Sequence, residues 1–472
     1  MKFGENYTMT IGGVPVDSSR ILNVVNPATA REFAVFPDAT SEHLDRAVEA
    51  AQGAFEGWRS TPVAQRQMAL RRAGDLLEAH ADELAELFMR EQGRPVGAAK
   101  QEILGASFWL KMTAKMTLPV DVVEDTATRR VEVHHDPLGV VCAIVPWNFP
   151  VLLAAWKIAP ALLAGNTMVL KPSPFTPLCT LKIGELLREV FPAGVLNVIS
   201  GGDDLGPMMT RHPGFAKISF TGSTATGKRV MTSAAHDLKR ITLELGGNDA
   251  AIVLPDVDVD RIAEQIFFGA FHNTAQVCVA TKRLYVHDAI YDAMRDKLHD
   301  LAKRMKVGDG ANADSVFGPL QNEPQYRRVR ALIDEARAEG LTLLEGGDVP
   351  EQGYFIPLTI VDNPPEDARV VAEEAFGPVL PMMRFVDLDE VIARANGTEY
   401  GLAGAVWSDD VDQALAVAKR LDTGTVWINQ NLQSTPMIPL AGHRQSGFGV
   451  ENGMSGLLEY TQPKSIFIPK SS

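Results

Sequence analysis

Residues Gly139–Pro174 read GVVCAIVPWNFPVLLAAWKIAPALLAGNTMVLKPSP. The apolar run Val140–Val145 is too short and too β-branched for a helix and predicts a buried strand. Val151–Ala164 then predicts a core helix, with Gly165-Asn166 as its stop, and Thr167–Leu170 predicts the next strand. Two buried strands joined by one helix form a βαβ unit, and a parallel sheet follows from it.

Working outward, the rhythm continues. Thr176–Val190 predicts a helix, while Val195–Ile199, Lys217–Phe220 and Ile241–Leu245 predict strands. It restarts after Gly247, with strands at Ala250–Leu254 and Arg283–Val286 around a helix from Val259 to about Thr274. The chain therefore reads as α/β with two doubly wound units. Such sheets bind ligands at the carboxyl ends of their strands. Upstream, residues 40–93 predict one helix capped by Ser41, with Leu44, Val48 and Ala51 on one face, followed by a longer helix. Residues 119–135 alternate as two strands around a polar turn, with Val131 and Val133 on one side. The tail PKSIFIPK alternates Ile466 and Ile468 like an edge strand.

A chain of 472 residues predicts two or three domains. Its net charge of −14 supplies no basic surplus to meet phosphates, which argues against nucleic acid or an anionic membrane as partner. Three cysteines make no disulfide framework, and no Cys/His cluster predicts a metal site, so a cytoplasmic location is expected. The polar N-terminus MKFGENYTMTIGG lacks the apolar core of a signal peptide.

Four segments carry candidate chemistry. In ISFTGSTATGKRV, Gly222 and Gly227 bracket Ser223, which caps the next helix and predicts a phosphate site at its N-terminus; a plain βα turn would use the same residues. The spacing to Lys228 imitates a P-loop, but Arg229 stands where Ser or Thr would hold magnesium. In TLELGGND, Glu244 is a carboxylate among leucines, either a structural ion pair or a base with a raised pKa. In IVPWNFP, Asn148 lies between two prolines, as an oxyanion donor or a helix cap. Lys171 closes its strand where a ribose or phosphate contact would sit. Cys142 lies within an apolar strand and Cys179 within a helix, so both read as packing. Cys278, in FHNTAQVC, has polar neighbours.

Together PWNFP, KPSP, FTGSTATG, LELGGND, NTAQVC, EEAFGPV and SGFG occur in that order, and the chain resembles the aldehyde dehydrogenase superfamily over about residues 25–460. The resemblance implies a Rossmann-type NAD(P)-binding domain (1–117 and 137–246), a catalytic α/β domain (247–444), and a small β oligomerisation arm (118–136 and 455–472) of a homodimer or homotetramer. It implies Cys278 as nucleophile, Asn148 as oxyanion donor, Glu244 as the base that hydrolyses the thioester, and Lys157 as a nearby proton relay. For the cofactor it implies Trp147, Lys171 and Ser173, the loop Gly222, Ser223 and Gly227, then Gln325, Glu374 and Phe376. The glutamate at 244 implies a free acid as product rather than an acyl-coenzyme A, and a moderately apolar aldehyde is the expected substrate. A cysteine esterase or acyl transferase, and a non-catalytic nucleotide-binding protein, are the alternatives.

Three positions depart from the family pattern. Pro174 replaces a frequent glutamate that contacts both ribose hydroxyls, which leaves NADP as an alternative to NAD. Pro439-Leu440-Ala441-Gly442 replaces an aromatic substrate loop. Ala275 replaces a glycine before Gln276, which matters if that backbone needs a positive φ.

Overall fold

The computed structural model describes residues 6–470; the extreme ends of the expected first domain and of the arm, 1–5 and 471–472, lie outside the described residues. An eight-stranded sheet has the strand Val140–Ile144 near its centre. On one side of it run Thr167–Lys171 and Leu196–Val198, on the other Lys217–Thr221 and Arg240–Glu244, all parallel. Strand order thus reverses at Val140–Ile144, and the crevice that this creates opens where Val140–Ile144 and Lys217–Thr221 end. Those two strands lead directly into PWNFP and GSTATG. The expected strand limits agree with the observed ones to within one or two residues.

The helix Pro150–Ala164 is buried almost throughout, starts on Pro150 at its first turn, and ends on Gly165 at φ 99°. The apolar run between the two strands is therefore a core helix. Among the described residues, no helix is long and apolar enough to cross a membrane.

A second sheet of seven strands runs Thr342–Glu345, Thr359–Asp362, Val379–Phe385, Arg283–His287, Ala250–Val253, Ala403–Trp407 and Thr425–Ile428. All its pairings are parallel except the first. Alternate residues feed separate cores: Ala251, Val253, Leu284 and Val286 pack into one, Ala250, Ile252 and Tyr285 into the other. A sheet covered on both faces needs apolar residues at every position, which is why these strands read as continuous runs.

Two expectations upstream are corrected. The cap is Thr40 rather than Ser41, because the Thr40 hydroxyl accepts from the His43 amide while the His43 ring takes the Thr40 N–H. The longer second helix is two helices, Val63–Ala79 and Ala81–Gln92, broken at His80. A further helix, Val96–Thr113, has no counterpart in the sequence reading. It packs against three neighbouring helices and buries Glu102, Ser107 and Thr113 with its apolar residues, so no single apolar stripe announces it. Finally, Asp121–Asp125, Arg129–Pro137 and Thr461–Pro469 form one antiparallel sheet, pairing the expected hairpin with the expected tail strand in unbroken register from Thr461↔Pro137 to Pro469↔Arg129.

Candidate active site at the switch point

The PWNFP turn is held from outside its own sequence. No side chain of the turn caps the helix Pro150–Ala164. Instead Glu102 Oε1 accepts from the amides of Val151 (3.0 Å) and Leu152 (3.1 Å), placing a carboxylate at the positive end of that helix. Arg94 pairs with Glu102 at 2.6 Å, donates to the Asn148 carbonyl, and lies over the Phe149 ring at 4.5 Å. Asn148 is thereby freed from capping, and its Nδ2 points to the nucleophile segment, donating to Gln276 O at 3.0 Å. Sequence reasoning missed Arg94 and Glu102. Their signal, two buried charges in a helical region, becomes visible only once both are brought to the turn.

The segment carrying Cys278 leaves the helix Val259–Phe271 through three consecutive left-handed residues: Asn273, Thr274 and Ala275, at φ 51°, 56° and 59°. For residues with a Cβ this conformation costs about 1–2 kcal/mol each. Hydrogen bonds hold it in place. Thr274 Oγ1 donates to Gly318 O at 3.0 Å, and Gln276 Nε2 donates to Asn273 O at 2.9 Å. The expected helix to Thr274 therefore ends at Phe271, and the position of Ala275 does need a positive φ. The chain next reaches Cys278, which is half-buried, whereas Cys142 and Cys179 are 0% exposed. Burial pushes the Cys278 thiol well above its ordinary value, and the nearby Glu244 pushes it further.

Glu244 ends its strand, only 4% exposed, paired in register with Thr221 on one side and Gly447 on the other. Among the described residues neither of its carboxylate oxygens meets a well-formed hydrogen-bond partner, although the Cys278 thiol lies close enough to interact with it. Burial raises its pKa to about 8, against the pull of Cys278 and Lys157. A buried carboxyl pushed toward neutrality beside a thiol is the kind of perturbed pair that clusters at functional sites. Lys157 is itself spent on other partners: it donates to Glu451 Oε1 at 2.8 Å and to Ser219 Oγ at 3.0 Å, in a buried pair. Glu451 is the second group that sequence reasoning missed, although it stands just beyond SGFG.

On the opposite side of the crevice, Ser223 caps the helix Thr224–Ala235 by accepting from the Thr226 amide at 3.3 Å. Gly227 is required by packing, since a Cβ there would come within 2.5 Å of Leu245; one on Gly222 would meet the Phe220 ring at the same distance. The Gly222 amide donates to the Glu244 carbonyl at 3.0 Å, tying the loop to the base's strand. Lys171 is buried, and its one hydrogen bond among the described residues goes to Pro172 O at 3.2 Å. Burial lowers its pKa to about 8, while Asp203, Asp204 and Asp38 pull it back up. Ser173 accepts from the Phe175 amide at 3.3 Å. Trp147 meets Phe376 edge-on at 5.4 Å. Gln325 Nε2 donates to the carbonyls of Ala375 (2.8 Å) and Phe376 (3.0 Å), so its amide braces the loop that carries Phe376. Glu374 Oε1 accepts from the Gly247 amide at 3.1 Å and lies 3.5 Å from Lys282 Nζ. Leu440 is buried in the first core, with its backbone paired to Glu451. Among the described residues no cluster of side chains could hold a metal ion.

The structure thus brings Cys278, Glu244 and Asn148 to one end of the crevice. Lys157 influences Glu244 by its charge while paired to Glu451, and Trp147, Phe376 and Gln325 are joined by contacts of their own. The aldehyde dehydrogenase family profile matches residues 14–466, and the chain belongs to that family. As a member it is an NAD(P)-dependent oxidoreductase that oxidises aldehydes. It is 41% identical to the aldehyde dehydrogenase LUC3 of a Fusarium species, with 98% of each chain covered. It is 40% identical to phenylacetaldehyde dehydrogenase of Pseudomonas fluorescens, with 98% of this chain and 96% of the relative covered. An NAD+ complex of an aldehyde dehydrogenase from Bacillus cereus superposes with a TM-score of 0.96 at 36% identity, covering 98% of this chain and 97% of that one.

Proposed function

We propose that the protein oxidises an apolar aldehyde to the free carboxylic acid through a covalent intermediate on Cys278. The observation that carries this reading is a half-buried thiol facing a buried carboxylate that has no hydrogen-bond partner of its own. Cys278 Sγ adds to the carbonyl carbon, its proton leaving to a base, and a C–S bond forms. The oxyanion so created is held by Asn148 Nδ2 and the Cys278 N–H. NAD(P)+, when bound, would supply the hydride acceptor, and loss of hydride from the carbon attached to Cys278 Sγ would leave a thioester. Glu244 then takes a proton from water, the hydroxyl adds to the thioester carbon, and the C–S bond breaks to release the acid and regenerate the thiol. Lys157 and Glu451, behind Glu244, are suited to pass that proton onward.

The crevice suits a dinucleotide. Lys171 is a buried cation with unspent donors, the helix at Ser223 offers amides to a pyrophosphate, and Glu374 stands ready for ribose hydroxyls. Trp147 and Phe376 would flank the nicotinamide, with Gly222, Gly227, Ser173 and Gln325 shaping and bracing the walls. The frequent glutamate is replaced by Pro174, so no carboxylate at that position would repel a 2′-phosphate, which leaves NADP in competition with NAD. For the substrate side, the exposed His272 ring stacks on Phe149 with centroids 6.2 Å apart and presents a flat wall. An apolar or aromatic aldehyde fits such a wall, in keeping with the phenylacetaldehyde enzyme among the relatives.

We assign residues 1–117 and 137–246 to the cofactor domain, 247–444 to the catalytic domain, and 118–136 with 455–472 to the oligomerisation element of a homodimer or homotetramer. The exposed Val122, Val123 and Phe467 on the three-stranded sheet support the last assignment. Free cysteines fit a cytoplasmic setting. A panel of aliphatic, hydroxylated and aromatic aldehydes, run with NAD and with NADP, tests the reaction. Reduced cofactor is expected with at least one apolar aldehyde and none with Cys278→Ala; turnover that survives Cys278→Ala refutes the reading.

A further inference from the structure

Lys282 lies four residues beyond Cys278 and takes no part in the steps above. Its side chain is buried, the whole residue being 7% exposed. Its Nζ donates to the backbone carbonyl of Cys278 and to that of Ala280 at 3.4 Å, and it stands 3.5 Å from Glu374 Oε1. Gly247 completes the arrangement: its amide donates to the same Glu374 oxygen, and a Cβ on it would come within 3.2 Å of the Cys278 carbonyl. One ammonium therefore touches both the main chain of the nucleophile and the carboxylate assigned to the nicotinamide ribose. Asp249 and Glu374 are the carboxylates that feel this cation, so it is the local counter-charge for two buried acids.

Coupling between neighbouring sites is carried by packed side chains and by hydrogen-bond and salt-bridge networks, and a buried ion pair is such a link. When Glu374 accepts hydrogen bonds from a ribose, its hold on Lys282 weakens, and the ammonium's remaining bonds are those to the Cys278 and Ala280 carbonyls. We propose that Lys282 is a positioning residue that couples occupancy of the Glu374 site to the backbone bearing Cys278. The nucleophile is then set in its working orientation only after cofactor has bound. This inference rests on the assignments of Cys278 and Glu374 made under the proposed function.

The test is the rate at which iodoacetamide alkylates the full-length protein, with and without saturating NAD, read by mass spectrometry. Cys142 and Cys179 are 0% exposed, so the label reports Cys278. Saturation is set by titrating NAD against tryptophan fluorescence for each variant. In the wild type the two rates are expected to differ by about fivefold or more, the usual lower size of a coupling. In Lys282→Met the ratio is expected to fall to within about twofold of unity, because a coupling that runs through one contact disappears with it. Glu374→Gln, which keeps Lys282 and is nearly isosteric, is expected to do the same even where Lys282→Met does not fold. A wild-type ratio near one, or a ratio kept by either variant, overturns the inference. Failure of the underlying reading looks different: aldehyde turnover in Cys278→Ala, or no NAD titration at all.

Discussion

Replacing Glu244 by glutamine is expected to move turnover and stability in opposite directions. The wild-type carboxyl titrates at about 8 in the folded protein and near 4.5 when solvated. Between those two pH values the folded state holds a proton that the unfolded chain has lost, so this group makes stability fall as pH rises, the loss being complete above pH 8. At about 1.4 kcal/mol per pH unit the interval sets an upper bound of about 5 kcal/mol. Glutamine is never charged and removes the loss. For a chain of this length 1 kcal/mol shifts the melting midpoint by about 1 °C. Glu244→Gln is therefore expected to melt about as the wild type does at pH 5, and up to about 5 °C higher at pH 9. Turnover runs the other way. The ionised fraction of Glu244 rises from about 0.1 at pH 7 to about 0.9 at pH 9, so wild-type kcat rises about tenfold if hydrolysis limits it. The variant is expected to lose about 10²–10⁴ in kcat while still releasing one equivalent of reduced cofactor in a rapid burst. Calorimetry at the two pH values, with stopped-flow absorbance at 340 nm, reads both halves. A melting difference that is the same at pH 5 and pH 9, or a variant that loses the burst together with the turnover, would refute the reasoning.

Further outcomes are expected at three other places. Ala275→Val puts a β-branched residue at φ 59° and is expected to lower the midpoint by about 2 °C or more and slow thiol alkylation. Ala275→Gly exchanges about 1–2 kcal/mol of backbone strain for about 0.8 kcal/mol of buried methyl and an unfolded-state cost, leaving the midpoint nearly unchanged. Arg94→Met leaves the Glu102 carboxylate buried without its cation, at a cost of about 3–5 kcal/mol, seen as a lower midpoint; adding Glu102→Gln is expected to restore part of the stability but not kcat, because Asn148 still lacks its brace. Deleting residues 461–472 removes the strand paired along the whole of Arg129–Pro137, and light scattering is expected to show a smaller assembly than the full chain forms.

Much of the architecture was legible because parallel strands covered on both faces leave continuous apolar runs. Val140–Ile144 and Ala250–Val253 fall where the sequence reading puts them. Helix limits were harder to read. The break at His80 carries neither glycine nor proline, and Val96–Thr113 is buried on too many sides to show a stripe. At the site, Cys278, Glu244 and Asn148 were legible as motifs, but composition alone could not separate Cys278 from Cys142. Arg94, Glu102 and Glu451 gave no local signal, since each reaches a partner far away in the chain, Asn148, Val151 and Lys157; Lys282 lies near Cys278 but far from Glu374.

Local events follow from short stretches of sequence: which runs become buried strands, where Gly165 ends a helix, and which residue types stand at the ends of strands. Periodicity, caps and turn chemistry act over a few residues, so a linear reading reaches them. What those ends face depends on long-range packing. Asn148 is directed at the nucleophile segment rather than at its own helix because Glu102, from another helix, already satisfies that helix's amides. Glu244 is raised toward neutrality because folding strips it of water, and the Cys278 thiol and the Lys157 charge offset only part of that loss. Desolvation and charge pairing depend on distances between residues remote in the chain, and those distances exist only after the chain has folded.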